Sequence, residues 1–173
     1  DVRVYFLTLQ YWLSGSDSNL EHMVTLLLRR YGAGERAGLE TLLAEPPAPK
    51  EYPEVGLYHS GASDRIVTEL SQLPKHRGKQ GTVGLLLMRS YALADNSHHY
   101  DQVIASLEAR GLRVVPAFAS GLDARPAVEQ YFLRNGEPVV DAVVSLTGFS
   151  LVGGPAYNDS RAAEDMLAKL DVP

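Results

Sequence analysis

Val83-Gly84-Leu85-Leu86-Leu87-Met88 is a nearly unbroken apolar run, followed at once by Arg89 and Ser90. Runs of this kind belong to strands of a parallel sheet, where helices cover both faces and no position alternates toward water. Downstream, Tyr100, Val103, Ile104 and Leu107 fall at i, i+3, i+4 and i+7, which predicts a helix from about Ser97 to Arg110 that stops at Gly111. The unit then repeats. Leu112 to Phe118 reads as a second strand, and about Arg125 to Leu133 as a helix with Pro126 in its first turn and Gly136 as terminator. Val139 to Leu146 reads as a third strand, apolar apart from Asp141 and Ser145, and Ala163, Met166, Leu167 and Leu170 form a last helical stripe. This alternation predicts an α/β, Rossmann-like, doubly wound parallel sheet flanked by helices. Ligand-binding loops in such sheets lie at the carboxyl ends of the strands, here Arg89 to Asn96, Ala119 to Ala124 and Thr147 to Asn158.

Upstream the pattern is less regular. Val2 to Leu9 is β-branched and aromatic and reads as a strand. Ser18 and Glu21 have capping-box spacing ahead of the stripe Leu20, Met23, Val24, Leu27 and Tyr31, a helix that stops at Gly32. A shorter helix is expected from Glu35 to Ala44, running into a connecting arm that contains Pro46, Pro47, Pro49 and Pro53. Ser63 is read as the cap of a helix carrying Ile66, Val67, Leu70 and Leu73. The charged segment Lys75 to Gly81 then reads as a boundary. Residues 1–78 are accordingly expected to be the strand-helix end of an adjoining α/β domain plus its arm, and residues 79–173 a Rossmann-like domain truncated at its C-terminal end. A strand-like run starting directly behind Asp1, and an end just beyond a helix at Pro173, are what a slice of a larger subunit would show.

Composition narrows the chemistry. Of the 173 residues, 45% are hydrophobic and 21% charged, a globular balance able to bury a core. A formal net charge of −5 argues against a nucleic-acid protein, which needs a basic surface to displace phosphate counterions. There are no cysteines, so a disulfide, a thiolate metal site or a cysteine nucleophile is excluded. No apolar stretch reaches the roughly 18 residues that span a bilayer.

The segment from Thr147 to Asp159 is the most informative for function, because Gly148, Gly153 and Gly154 allow a ligand to approach the backbone closely. It reads either as a ligand cradle or as a tight turn with an apolar plug. Phe149 and Tyr157 offer apolar faces, and Asn158 lies just ahead of the last helix. Gly148 and Gly153 have P-loop spacing, but Gly154 stands where a lysine is needed, and no G-x-G-x-x-G opens a helix. No G-x-S-x-G elbow is present, which leaves a hydrolase triad without support. Arg89 and Ser90 follow the first central strand, where a guanidinium could clamp a carboxylate. His98 and His99 are adjacent, so their side chains diverge by roughly 100° on a helix, and no metal site is expected. His59 reads as a hydrogen-bonded loop residue. The substrate-rim candidates are Arg89, Ser90, Thr147, Gly148, Phe149, Gly153, Gly154, Tyr157 and Asn158.

Three stretches carry a resemblance. They are Leu85-Leu86-Leu87-Met88-Arg89-Ser90 with His99-Tyr100, Leu107 through Asp123, and Val140 through Pro155. Together they resemble the family of large porphyrin-binding chelatase subunits, which comprises the H subunits of magnesium chelatase and the large subunits of aerobic cobaltochelatase. Leu7 through Ser16 and Gly56-Leu57-Tyr58-His59 extend the likeness over the chain, more loosely between Ala33 and Tyr52, and the Thr147–Asp159 loop favours the magnesium branch. The resemblance implies ATP-dependent insertion of Mg2+ into protoporphyrin IX in chlorophyll or bacteriochlorophyll synthesis. It implies a partnership with AAA+ ATPase and adaptor subunits and with the remaining domains of the same subunit. It also implies a place in the cytoplasm or the plastid stroma. A His-Gly-x-Leu-Glu type stretch linked to catalysis in the family is absent, so no catalytic residue is carried over, and the slice alone is expected to be inactive. No cofactor is expected within the slice. The rival reading is a non-catalytic α/β module binding a sugar, a flavin or another small ligand.

Overall fold

The structure is a computed structural model and describes every residue except His76, Arg77 and Lys79. It divides into two compact units, Asp1–Tyr52 with Leu93–Asp95, and Pro53–Ala92 with Asn96–Pro173.

The first unit is helical. Helix α1 (Val2–Ser14) is capped by the Asp1 carboxylate and closed by Gly15 in the left-handed region, and α2 (Asp17–Tyr31) is capped by the Ser16 side chain. A short helix α3 (Leu39–Leu42) follows a single 3-10 turn at Gly34–Arg36. Val2 to Leu9 is therefore helix, not strand. Apolar residues continue to Leu13, longer than a typical strand, and the spacing of Val4, Leu7 and Tyr11 lets them pack against Met23, Leu26 and Leu27. The opposite side of α1 leaves Val2, Tyr5, Phe6, Leu9, Trp12 and Leu13 exposed. The cap of α2 lies two residues before the expected Ser18, because Ser16 Oγ reaches the Asn19 N–H at 3.2 Å. The expected helix from Glu35 to Ala44 survives only as the 3-10 turn and α3. The proline arm is held along this unit rather than left as a tether. Asn19 donates to Lys50 O at 2.8 Å and accepts from Lys50 N at 2.9 Å, and Tyr11 Oη donates to Pro47 O.

The second unit begins with β1 (Val55–Tyr58) and β2 (Ile66–Val67), then β3 (Thr82–Met88), α4 (Arg89–Leu93), α5 (His98–Glu108) and β4 (Arg113–Ala119). It continues through α6 (Arg125–Tyr131), a β5 (Leu133–Arg134) and β6 (Glu137–Pro138) hairpin, and β7 (Ala142–Ser145). A second hairpin, β8 (Gly153–Gly154) and β9 (Tyr157–Asn158), leads into α7 (Ser160–Leu170). The main sheet has five strands in the order β2-β1-β4-β3-β7. β3 runs parallel to both β4 and β7, whereas β1 is antiparallel to β4 and β2 to β1. The class is α/β, with a mixed rather than wholly parallel sheet.

Two expectations change here. Ile66 and Val67 pair with Leu57 and Tyr58 instead of opening a helix, and Leu70–Gln72 forms one 3-10 turn closed by Glu69 and Gln72. The apolar spacing there fits a helix, but the edge of β1 offers backbone partners and Pro74 forbids continuation. The break between units falls at Tyr52 and Pro53, ahead of the expected Lys75–Gly81, which lies partly outside the described residues. Val55–Leu57 hydrogen-bonds to β4, so it belongs with the sheet.

Alternation along the strands builds two cores. Leu85, Leu87, Val114 and Phe118 face α5, where Tyr100 and Ile104 are buried and Val103 and Leu107 partly so. Leu86, Val115 and Ala117 face the other way, onto Val128, Tyr131 and Phe132 and onto Met166 and Leu170 of α7. The Tyr100 hydroxyl accepts from Met88 N at 3.1 Å, anchoring α5 to the end of β3. Tyr58, Arg65, Ser97 and Asp101 share a polar network that joins β1 to the start of α5, with Tyr58 Oη 2.7 Å from both Ser97 Oγ and Asp101 Oδ1.

Gly84 is required by space. A Cβ there would stand 2.8 Å from the Phe132 ring, deep in the second core. Gly84→Ala should therefore cost about 1–3 kcal/mol by overpacking. Urea unfolding of the chain measures this, and adding Phe132→Leu should recover part of the loss; an additive second loss would refute the steric account.

Candidate functional site

The connection leaving β3 passes to the α5 face, while those leaving β4 and β7 pass to the α6 and α7 face. Neighbouring strands whose connections diverge leave a crevice at their carboxyl ends. A small crevice of about 20 Å3 lies there, floored by Leu86, Leu87 and Met88 and walled by the loops after β4 and β7. Its rim carries Leu122, Asp123, Thr147, Phe149 and Ser150.

The two walls are tied together by backbone. Gly153 N donates to Leu122 O at 2.8 Å, Ala124 N to Leu151 O at 3.0 Å, and Asp123 bridges Val152. The glycines that looked like a ligand cradle have packing duties. A Cβ on Gly154 would overlap Leu122 Cδ1, and one on Gly153, whose φ is 120°, would overlap the Tyr157 carbonyl oxygen. Ser150 Oγ donates to Asn158 Oδ1 at 2.5 Å, which closes the β8–β9 hairpin across its base. Thr147 Oγ1 accepts from Phe149 N at 3.3 Å and lies 3.1 Å from Ser145 Oγ, which orders the turn before Phe149. Phe149 is 38% exposed and presents its ring at the crevice.

Of the candidates, Thr147 and Phe149 line the crevice. Gly148 sits between them with φ 74° and open space around it. Gly153, Gly154, Tyr157 and Asn158 build the hairpin behind the rim, with Tyr157 exposed. Ser90 is exposed in the first turn of α4. Arg89 turns the other way. Its Nε donates to Pro53 O at 2.9 Å, beyond β4 rather than toward the β7 loop. Burial lowers the Arg89 pKa from its ordinary value, and Glu54 opposes that shift.

The main ionic feature of the rim was not singled out from the sequence. Arg125 donates to Asp123 through Nε at 3.0 Å to Oδ1 and through a terminal nitrogen at 2.6 Å to Oδ2, and its backbone N–H also reaches Oδ1 at 3.0 Å. The Arg125 hydrogen bond holds the Asp123 carboxyl below its usual range, against the opposing effect of burial. An aspartate two residues ahead of a helix that opens Arg125-Pro126 is the available sequence signal, since that geometry suits capping.

His98 and His99 are both exposed, and the His99 ring lies against Tyr91 and Tyr100. No group of three or more His, Asp or Glu that could hold an ion occurs among the described residues. His59 is buried at the other end of the sheet. Its Nδ1 accepts from Gly61 N at 3.0 Å and its Nε2 lies 3.2 Å from Glu108 Oε1, so both ring nitrogens are engaged. No described helix is long and apolar enough to cross a membrane.

The fold defines an α/β domain with a crevice at its switch point. Residues 9–173 match the family model for CobN/Magnesium Chelatase, and the chain belongs to that family. It is 55% identical over its whole length to the magnesium-chelatase H subunit of Cereibacter sphaeroides, of which it covers 14%. It is 37% identical to the chloroplastic magnesium-chelatase subunit ChlH of Oryza sativa subsp. japonica, covering 13% of it. Among solved structures, the catalytic subunit of cobaltochelatase from Mycobacterium tuberculosis aligns over 82% of this chain and 10% of its own, with a TM-score of 0.52 at 19% identity, a likeness of fold. The chain thus spans about one seventh of the length of the Cereibacter relative, which it matches at 55% identity.

Two outcomes follow for the rim. Gly153→Ala meets backbone in a disfavoured conformation and should cost about 1–3 kcal/mol, more than Gly148→Ala, where only the left-handed backbone is strained. Equal losses in urea unfolding would contradict this. Asp123 has a lowered folded pKa, so the folded state binds fewer protons and the pair's contribution is present above the ordinary carboxylate pKa of about 4. It should be lost as pH falls through the lowered value. Asp123→Asn should therefore melt slightly below the unsubstituted chain at pH 7 and level with it at strongly acidic pH.

Proposed function

We propose that this chain is a portion of the porphyrin-binding subunit of a magnesium chelatase, and that the β3–β7 crevice is part of its porphyrin site. The observation that carries the reading is the switch-point crevice rimmed by an exposed aromatic, Phe149, in a chain 55% identical to a magnesium-chelatase H subunit. The reaction of the whole protein would be insertion of Mg2+, as substrate, into protoporphyrin IX. The energy would come from ATP hydrolysed on separate AAA+ subunits, in line with the absence of a P-loop sequence from this chain. The setting would be cytoplasm or plastid stroma.

Size limits what the crevice can do. At about 20 Å3 it has room for about one water and lies far below ligand pockets, which run from about 300 to 1,000 Å3, so by itself it would meet at most one edge of a macrocycle. Phe149 would pack on the porphyrin face by offset stacking. Arg89, committed through Nε to Pro53, is read as a residue that holds the end of β3 in place; a propionate clamp at Arg89 is the alternative.

Titration of a soluble protoporphyrin analogue into the full-length subunit, followed by fluorescence quenching, tests both points. Phe149→Ala should weaken binding about 3- to 10-fold with unchanged melting. Arg89→Ala should lower the melting temperature and leave the affinity of the folded protein near that of the unsubstituted subunit. If Arg89 clamps a propionate, affinity should instead fall roughly 10- to 150-fold without loss of stability. Unchanged affinity in both variants would remove the crevice from the porphyrin site, and preference for FMN or a sugar would favour the non-catalytic module.

A further inference from the structure

Strand β7 is the last in the sheet order and pairs with β3 along one edge. Leu146 N donates inward to Leu86 O at 2.9 Å, while Val143 N donates at 2.8 Å to Pro173 O, on the side away from β3. Strand alternation turns the Ser145 N–H to that same outer side. The bond to Pro173 comes directly after α7, whose end is turned by Asp171 at φ 44°. β7, α7 and the segment reaching Pro173 therefore follow the path of a strand-helix connection that returns to the outer side of β7. α7 packs in the same core as α6, so this connection has the same hand as the one from β4 through α6 to β7. A second observation agrees. Val144, on the opposite face of β7 from Val143, is 40% exposed in mid-strand.

We propose that the outer edge of β7 receives a sixth strand, parallel to it, supplied by the polypeptide that follows Pro173 in the longer subunit. This rests on the reading above that the chain is a portion of such a subunit. In parallel pairing, the second residue after Pro173 stands opposite Val144, donating to Val143 O and accepting from Ser145 N. A second copy of the chain is the competing occupant, because exposed edges invite intermolecular pairing.

The experiment is amide hydrogen exchange on the full-length subunit, with overlapping peptides resolving Ser145, Leu146 and Gly148. Ser145 should exchange about as slowly as Leu146 and at least about a hundredfold more slowly than an open amide. Fast exchange at Ser145 with slow exchange at Leu146 would overturn the proposal, as would protection that disappears on dilution, which would assign the edge to a second copy. A cysteine pair identifies the occupant: Val144→Cys with cysteine at the second position after Pro173 should form a disulfide on oxidation. Protection of Ser145 without that crosslink would assign the edge to another segment and sink the proposal. Porphyrin titration of the same preparation separates the two ideas, since loss of porphyrin binding with slow Ser145 exchange defeats the porphyrin reading and leaves the sixth strand standing.

Discussion

Strand β3 is hydrogen-bonded along both edges, to β4 and β7, and buried on both faces, by α5 on one and by α6 and α7 on the other. Such a strand must be apolar throughout, and its parallel neighbours must be reached by crossovers that leave on opposite faces. The crevice at its carboxyl end is a consequence of that divergence, as is the burial of Tyr100 against Met88. The position of Gly84 follows too, because Phe132 must approach the strand closely for α6 to cover it.

The crevice is shaped by bonds between loops more than by the floor strand. The loop after β4 and the hairpin after β7 exchange backbone hydrogen bonds, and the Asp123–Arg125 pair stiffens one of them. A rim built this way has little conformational entropy left to lose when a ligand binds, which favours affinity from a small contact area. It also explains glycines at 153 and 154. They let two backbone segments and Leu122 pack closely, so that Phe149 and Thr147 reach the opening.

Chain length sets the frame for function. The Cereibacter relative is about seven times as long, so most of its surface lies outside the portion that these residues match.

The sequence by itself determined the α/β class and the alternation of β3, α5, β4, α6, β7 and α7, because apolar runs and helical stripes are local signals that burial on two faces enforces strongly. It also marked Thr147–Asn158 and, through its resemblance, the family. It did not determine whether Val2–Leu9 was strand or helix, since a segment apolar on several sides carries no decisive period, and only packing on α2 chose. Ile66–Val67 matched a helical spacing until β1 supplied an edge for it. The pairing of Asp123 with Arg125 spans two residues and so had a local signal, whereas the direction of the Arg89 side chain was decided by tertiary structure. A long cation can turn toward any acceptor within reach, and which one it finds depends on where Pro53 is brought by the rest of the fold.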